Sequence, residues 1–272
     1  MVPPFENQAV VLTGASSGIG RELALQLADQ GARLALAARS RDALEEVAAA
    51  CRARGAEALV VVTDVTDEAQ CRRLVKAAVD AFGGLDMLIA NAGVTMWGRF
   101  DELETLDFFE TLLRVNYLGA VYCTRYALPH LKRSGGRLVA VSSMTGKTGV
   151  PTRTGYAASK HAMVGFFDSL RVELRMDEPP SGVTITVACP DFVATPTRER
   201  GFGVDGRPVG ESPADEGAMM SAAECARQIL VGATRRYREL IMSRRGRLGL
   251  WLKVLAPDLV DRIAARAIRR GR

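Results

Sequence analysis

The sequence predicts an α/β protein: a doubly wound parallel sheet with helices on both faces, in one domain. Three observations predict it. Short apolar, β-branched runs alternate with helix-period segments from residue 8 to residue 90, joined by short links. A glycine-rich turn lies between the first run and the first helix. The polar motifs as far as Gly93 each follow the end of a strand, and ligands of such sheets sit outside the carboxyl ends of the strands.

Residues 8–13 (QAVVLT) read as a buried strand. Gly14, Ser16, Ser17, Gly18, Ile19 and Gly20 follow, and then a helix with Leu23 and Leu27 on one side. A glycine turn opening a helix offers free backbone N–H groups to a phosphate and lets a pyrophosphate approach closely. The spacing is G-x-x-x-G-x-G, not the usual G-x-G-x-x-G. Residues 33–38 form the second strand. Dinucleotide sites for NAD usually place a carboxylate at this strand end, on the ribose 2′-hydroxyl. Here Arg39 and Ser40 stand there, and an arginine fork with a serine suits a 2′-phosphate. NADP(H) is therefore the expected cofactor, in preference to NAD(H).

A helix over 42–54, a strand over 58–62 ending near Asp64 and Val65, and a helix over 67–82 come next. The strand over 87–90 ends in Asn91, Ala92 and Gly93. Residues 104–131 read as one long helix, with Asn116 interrupting its apolar side; a buried Asn commonly satisfies backbone groups. The strand over 137–141 ends at Ser143. A helix to about residue 175 carries Tyr156, and the strand over 184–188 leads to Pro190, Val193 and Thr195. Residues 196–221 lack a period, as lids and mobile segments do. A helix over 222–235 and a strand over 238–242 close the domain, taken as 1–242, and 243–272 form an extension.

The chain has 272 residues, five scattered cysteines without a C-x-x-C and only two histidines, His130 and His161. This predicts reduced thiols in a cytoplasmic setting, no metal and no histidine triad. The first residues, MVPPFENQ, lack the basic flank and apolar run of a signal peptide, and no window is apolar enough to span a membrane. The net charge is +5, but residues 235–272 carry twelve basic and three acidic side chains, a net of +9. The rest of the chain is therefore −4. Without aromatic interleaving, this basic tail does not predict nucleic acid as a partner.

Tyr156 and Lys160 lie four residues apart, so they share a helix face with side chains starting roughly 6 Å apart. A phenol has an ordinary pKa near 10, and moving it towards 7 takes about 4 kcal/mol of differential interaction. An adjacent ammonium acts in that direction. Tyr156 is then a candidate proton donor, Ser143 a second hydrogen-bond partner for the reacting oxygen, and Lys160 a ligand of the nicotinamide ribose. Asn116 could hold a water linking Lys160 to solvent.

Residues 13–20 (TGASSGIG), Asn91-Ala92-Gly93, Asn116, Ser143 and 156–160 (YAASK) together resemble the short-chain dehydrogenase/reductase family in its single-domain form, over about residues 7–242. The resemblance implies a Rossmann sheet of seven strands and catalysis by Asn116, Ser143, Tyr156 and Lys160. It also implies that Asp64 and Val65 lie by the adenine, that Asn91 to Gly93 pack beside the adenosine, and that Thr195 reaches the nicotinamide amide in a loop shaped by Pro190. A homodimer or homotetramer built on the helices of Asn116 and Tyr156 is implied as well. Asp191 departs from the family, where glycine is usual after the proline.

The substrate pocket is expected between Met96, Trp97, Met144, Val150, Pro151, Phe192 and the loop 196–221, with Lys147 and Arg153 near the rim. Such walls suit a hydrophobic small molecule: a steroid-like, acyl or aromatic ketone or alcohol. Two other functions fit the fold: reduction of acyl chains on a carrier protein in lipid synthesis, and non-catalytic sensing of a dinucleotide. After Pro257, Val260, Ile263, Ala264, Ala267 and Ile268 form an apolar stripe with arginines opposite, and Trp251 precedes it among leucines. A basic amphipathic helix of this kind can lie on an anionic membrane or pack on protein. It resembles the extensions of membrane-associated family members related to 11β-hydroxysteroid dehydrogenases.

Overall fold

The computed structural model describes residues 3–212 and 219–270, with residues 267–270 described by backbone alone. Seven parallel strands form one sheet. Numbered along the chain, they are β1 (Ala9–Thr13), β2 (Arg33–Ala38), β3 (Ala58–Val62), β4 (Met87–Ala90), β5 (Arg137–Val141), β6 (Thr184–Cys189) and β9 (Glu239–Ile241). Their order across the sheet is β3-β2-β1-β4-β5-β6-β9, so the winding reverses between β1 and β4. The short strands β7 (Val193–Ala194) and β8 (Met220–Ser221) pair separately.

Alternation along the strands supplies two cores. Val10 and Leu12 of β1 join Leu34 and Leu36 of β2 on one face. There they meet Leu23 and Leu27 of α1 (Gly18–Ala28), Leu44 and Val47 of α2 (Arg41–Arg52), and Ile229 and Leu230 of α7 (Ala222–Thr234). Ala9 and Val11 point the other way, towards Leu74 of α3 (Glu68–Phe82), Cys123 and Ala127 of α5 (Gly119–Ser134), and Phe167 of α6 (Thr154–Arg175). Burial on both faces is why the strands read as continuous apolar runs. Side-chain caps define several helix starts: Asp67 accepts from Gln70 N–H and Ser221 from Glu224 N–H. Gly83 and Gly135, at positive φ, end α3 and α5.

The long helix expected over 104–131 is divided. α4 (Asp107–Leu113) passes into a wide turn over Arg114–Leu118, closed by Gly119 N–H donating to Arg114 C=O, and α5 continues from there. At its end Gly119 packs closely on the chain after β3, where a Cβ would stand 2.8 Å from the side chain of Val65. Extra residues in a turn of this kind often mark functional positions, and Asn116 lies within it.

The loop after β7 is held over much of its length. Phe202 N–H donates to Thr95 C=O and Trp97 N–H to Phe202 C=O, while the Phe202 ring stacks on Phe108 at 5.2 Å. Residues 213–218 of the expected lid lie outside the described residues. The tail forms two helices, α8 (Arg244–Leu255) and α9 (Pro257–Arg270). Of the expected apolar stripe on α9, the side chains of Ala267 and Ile268 lie outside the described residues.

Candidate active site

The carboxyl ends of β1 to β6 open onto a cavity of about 690 Å³. Gly14, Ser16, Ser17, Ile19 and Gly20 line one end of it, with Arg39, Ser40, Asp64 and Val65. The glycine turn is tight: a Cβ on Gly20 would stand 2.0 Å from Gly14 O, and Gly14 itself has φ +66°. Ser17 makes no side-chain cap on α1, so the first amides of that helix remain available to an anion. Gly18 does not line the cavity but faces the Thr195 side chain, 3.3 Å from where its Cβ would be. Thr13 Oγ accepts N–H bonds from Asn91 and Ala92, and the Asn91 amide donates to Thr13 and Gly14 carbonyls. The 91–93 segment is thereby clipped to the glycine turn across the point where the winding reverses.

These residues fit a dinucleotide. An uncapped helix start behind glycines without room for a side chain is an anion cradle. At the end of β2, no carboxylate pairs with Arg39 among the described residues. Ser40 caps α2 by accepting from Ala43 N–H at 3.4 Å, which leaves its hydroxyl proton free to donate. Asp64 is engaged locally, accepting from the N–H and hydroxyl of Thr66.

Tyr156 and Lys160 reach the middle of the cavity from α6, with Ser143 opposite, after β5. Lys160 is 3% exposed, and its ammonium donates to Val141 C=O at 2.9 Å. Burial pushes its pKa down to about 8, against the buried Cys189 thiol, which pulls it up. Burial pushes the Tyr156 phenol above its ordinary range, while Arg153 and the hydroxyls of Ser143 and Thr145 pull it down. Against the expectation of a phenol held low by Lys160, desolvation outweighs the lowering by Arg153. Ser143 Oγ accepts from Thr145 N–H at 3.2 Å, so its own proton is available to an oxygen in the cavity.

Asn116 is fully buried and does not line the cavity. Its Oδ1 accepts from Val94 N–H at 2.8 Å, and its Nδ2 donates to Val94 C=O and to Ser159 Oγ, both at 2.9 Å. Asn116 and Lys160 both border Gly93, where a Cβ would stand 3.1 Å from Asn116 Oδ1 and 3.5 Å from Lys160 Nζ.

At the other end of the cavity, Val150 and Phe192 are joined by Val94, Thr95, Val115, Phe202 and Pro208. Pro190, Asp191, Val193 and Thr195 line the stretch between. Several expected wall residues lie elsewhere. Met144 turns into the core, where its sulfur would be 3.1 Å from a Cβ on Gly246 of α8. Met96 is fully buried with Phe108 and Leu112. Trp97 does not line the cavity but stands behind Arg153, and Pro151 is exposed outside it. Lys147 pairs with Glu239 at 2.8 Å. Arg153, expected at the rim, is buried and lines the cavity. Asp191 accepts a 2.8 Å bond from Ser243, whose oxygen also caps α8 at Gly246 N–H.

Thr145, Thr95 and Ser243 join the site without having been marked in the sequence. Thr145 lies two residues beyond Ser143, a spacing that could have marked it; Thr95 and Ser243 carried no such signal.

A sheet that reverses at a glycine turn and gathers a tyrosine, a lysine and a serine at its open rim belongs to the class of dinucleotide-dependent oxidoreductases. A family model described as short chain dehydrogenase matches residues 8–202. The chain is 33% identical to a Dictyostelium discoideum dehydrogenase/reductase SDR family protein 7-like, over 94% of its own length and 80% of that protein. It is 36% identical to 11-beta-hydroxysteroid dehydrogenase 1A of Arabidopsis thaliana, over 94% and 74% of the two chains. In structure it is similar to a short chain dehydrogenase/reductase from Burkholderia phymatum in complex with NAD, with TM-score 0.83, 27% identity and coverage of 94% and 96%. It is also similar to an alcohol dehydrogenase from Thermococcus sibiricus complexed with 5-hydroxy-NADP, with TM-score 0.72, 27% identity and coverage of 86% and 95%. The chain belongs to the short chain dehydrogenase family and is an oxidoreductase that uses a dinucleotide and acts on a small molecule.

Replacing Asn116 by Ala strands both backbone groups of Val94. Both groups are half-buried, and a backbone group left unmet costs about 1–3 kcal/mol when it is buried. Asn116→Ala is expected to lose roughly 2–4 kcal/mol in urea unfolding. A loss below about 0.5 kcal/mol, the level of an ordinary surface change, would contradict this account of the site.

Proposed function

We propose that the protein is an NADP(H)-dependent reductase or dehydrogenase acting on a carbonyl or secondary alcohol of an apolar small molecule: steroid-like, acyl or aromatic. The convergence of Ser143, Tyr156 and Lys160 at the mouth beside the glycine turn carries this reading. The nicotinamide supplies or accepts the hydride. The first amides of α1 and the glycine turn would hold the pyrophosphate, and Asp64, Val65 and Asn91 to Gly93 would flank the adenosine. Pro190, Val193 and Thr195 would border the nicotinamide. Ser143 would orient the substrate oxygen, and Tyr156 would exchange a proton with it. Lys160, four residues on, would hold the nicotinamide ribose and favour the phenolate. Asn116 would act by fixing the backbone at Val94, beside Lys160.

Burial of the phenol has a direction. A raised pKa keeps Tyr156 protonated at neutral pH, the form that donates to a carbonyl oxygen during reduction. Alcohol oxidation needs the phenolate as proton acceptor, so its rate is expected to gain as pH rises towards that pKa. The walls at Val94, Val115, Val150, Phe192 and Phe202 support an apolar substrate. The name of the Arabidopsis relative supports a steroid-like one. Preference for small charged carbonyls would overturn this part. Reduction of carrier-bound acyl chains is the second enzymatic reading.

The tail supports two contacts. Leu248, Trp251, Val254, Leu255, Leu259 and Ile263 are exposed, Trp251 to 73%, beside Arg244, Arg245, Arg247 and Lys253. Exposed apolar side chains interspersed with basic ones suit an anionic lipid surface. Among the described residues no helix is long and apolar enough to cross a membrane, so the contact proposed is peripheral. Pairing of copies through the outer faces of α5 and α6, where Val172 is exposed, would give the homo-oligomer. Five buried, free thiols support a cytoplasmic setting.

Arg39 decides the cofactor. Wild type is expected to bind NADPH more tightly than NADH in fluorescence titration, and Arg39→Ala to lose most of that preference. Preference for NADH, or indifference to Arg39, would overturn the assignment. For the tail, vesicles rich in phosphatidylserine are expected to retain wild type and release Trp251→Glu/Leu255→Glu. Equal partitioning of the two would remove the membrane contact.

A further inference from the structure

Tyr156 faces two buried cations, and one of them lies outside the Tyr156–Lys160 pair. Lys160 Nζ stands 5.9 Å from the centre of the Tyr156 ring, and Arg153 Cζ stands 5.7 Å from it. Arg153 lies one helical turn before Tyr156, at the start of α6, and is 7% exposed. Its guanidinium stacks at 3.3 Å on the Trp97 ring and donates a 2.6 Å hydrogen bond to Thr95 Oγ1. Trp97 is itself fixed by N–H bonds to the carbonyls of Phe202 and Arg198. Among the described residues no carboxylate pairs with Arg153. An aromatic face and a hydroxyl hold a cation in place without cancelling its charge. In a poorly solvated site that charge acts strongly on a neighbouring phenol.

We propose that Arg153 is a positioning residue for proton transfer, a second buried cation that works with Lys160 to favour the phenolate of Tyr156. The inference rests on the reading of Tyr156 as the proton donor and acceptor.

The other groups around the phenol leave this role open. Ser143 and Thr145 present hydroxyls from the turn after β5. Cys189 at the end of β6 is a thiol pushed up to about 12 by burial, and so uncharged at working pH. Asp191 and Arg198 line the same cavity. Lys160 is pushed down to about 8, whereas burial takes Arg153 down only to about 10. Burial thus weakens both cations, and leaves the pKa of Arg153 above that of Lys160.

The chain has five tyrosines, so tyrosine labelled with 13C at the ζ carbon gives a countable spectrum, and Tyr156→Phe assigns the signal. Arg153→Met is expected to raise the Tyr156 titration midpoint by about one pH unit or more. The rising limb of kcat/KM for alcohol oxidation should move by the same amount. Arg153→Lys should keep both near wild type. A folded Arg153→Met that leaves both midpoints unmoved overturns the proposal, as does an equal shift in Arg153→Lys. If Arg153→Met does not fold, Arg153→Gln removes the charge and can keep the bond to Thr95, with the same expected and contrary results. Full turnover in Tyr156→Phe would instead overturn the reading of Tyr156. Loss of turnover there, with an unmoved Arg153→Met profile, would overturn the role of Arg153 alone.

Discussion

Burial on both faces of a parallel sheet leaves its carboxyl rim as the place where polar groups can gather without a helix above them. The winding of this chain reverses between β1 and β4, and the rim gapes there. Thr13 holds the two strand ends together by accepting from Asn91 and Ala92 N–H groups. The glycine turn fits against this clip because Gly14 and Gly20 leave no room for a side chain. Moving either segment would displace the cradle, Gly93 and the ends of Asn116 and Lys160 behind it.

The chemistry at the rim is set by desolvation. Burying an ammonium and a guanidinium without carboxylate partners is unfavourable, and the fold offsets part of that with a carbonyl at Val141 and an aromatic face at Trp97. Arg153, held in this way, acts on the Tyr156 phenol, whose own burial works against ionisation. The tail joins the same region: Ser243 bonds to Asp191, and Lys253 donates to Lys147 C=O at 2.8 Å. α8 is thus fastened to the loops after β5 and β6. Asp191, in place of the usual glycine, has its partner in the tail.

The sheet was legible because every central strand is an apolar run closed by a turn, and β2, β3, β4 and β5 fall on the residues that the pattern marked. The glycine turn and the Tyr156–Lys160 pair were legible because their spacing is local. The wide turn around Asn116 was not, since Arg114–Leu118 contains no Gly or Pro to mark a break in the helix. Met144 was expected as a pocket wall, but in the short turn after Ser143 it packs into the core. Arg153 read as a rim charge because charged residues are mostly exposed; Trp97, far off in sequence, draws it inward. α8 showed no apolar stripe because its apolar residues serve two surfaces, Leu250 packing inward and Trp251 pointing out.

Hydride transfer at this rim is most directly tested with NADPH deuterated at nicotinamide C4 and a panel of apolar ketones, followed by mass spectrometry of the alcohols. The account predicts deuterium on the carbinol carbon with wild type and almost none with Tyr156→Phe. Tight NADPH binding with no labelled alcohol from any ketone would contradict it and leave a dinucleotide-binding module without this chemistry.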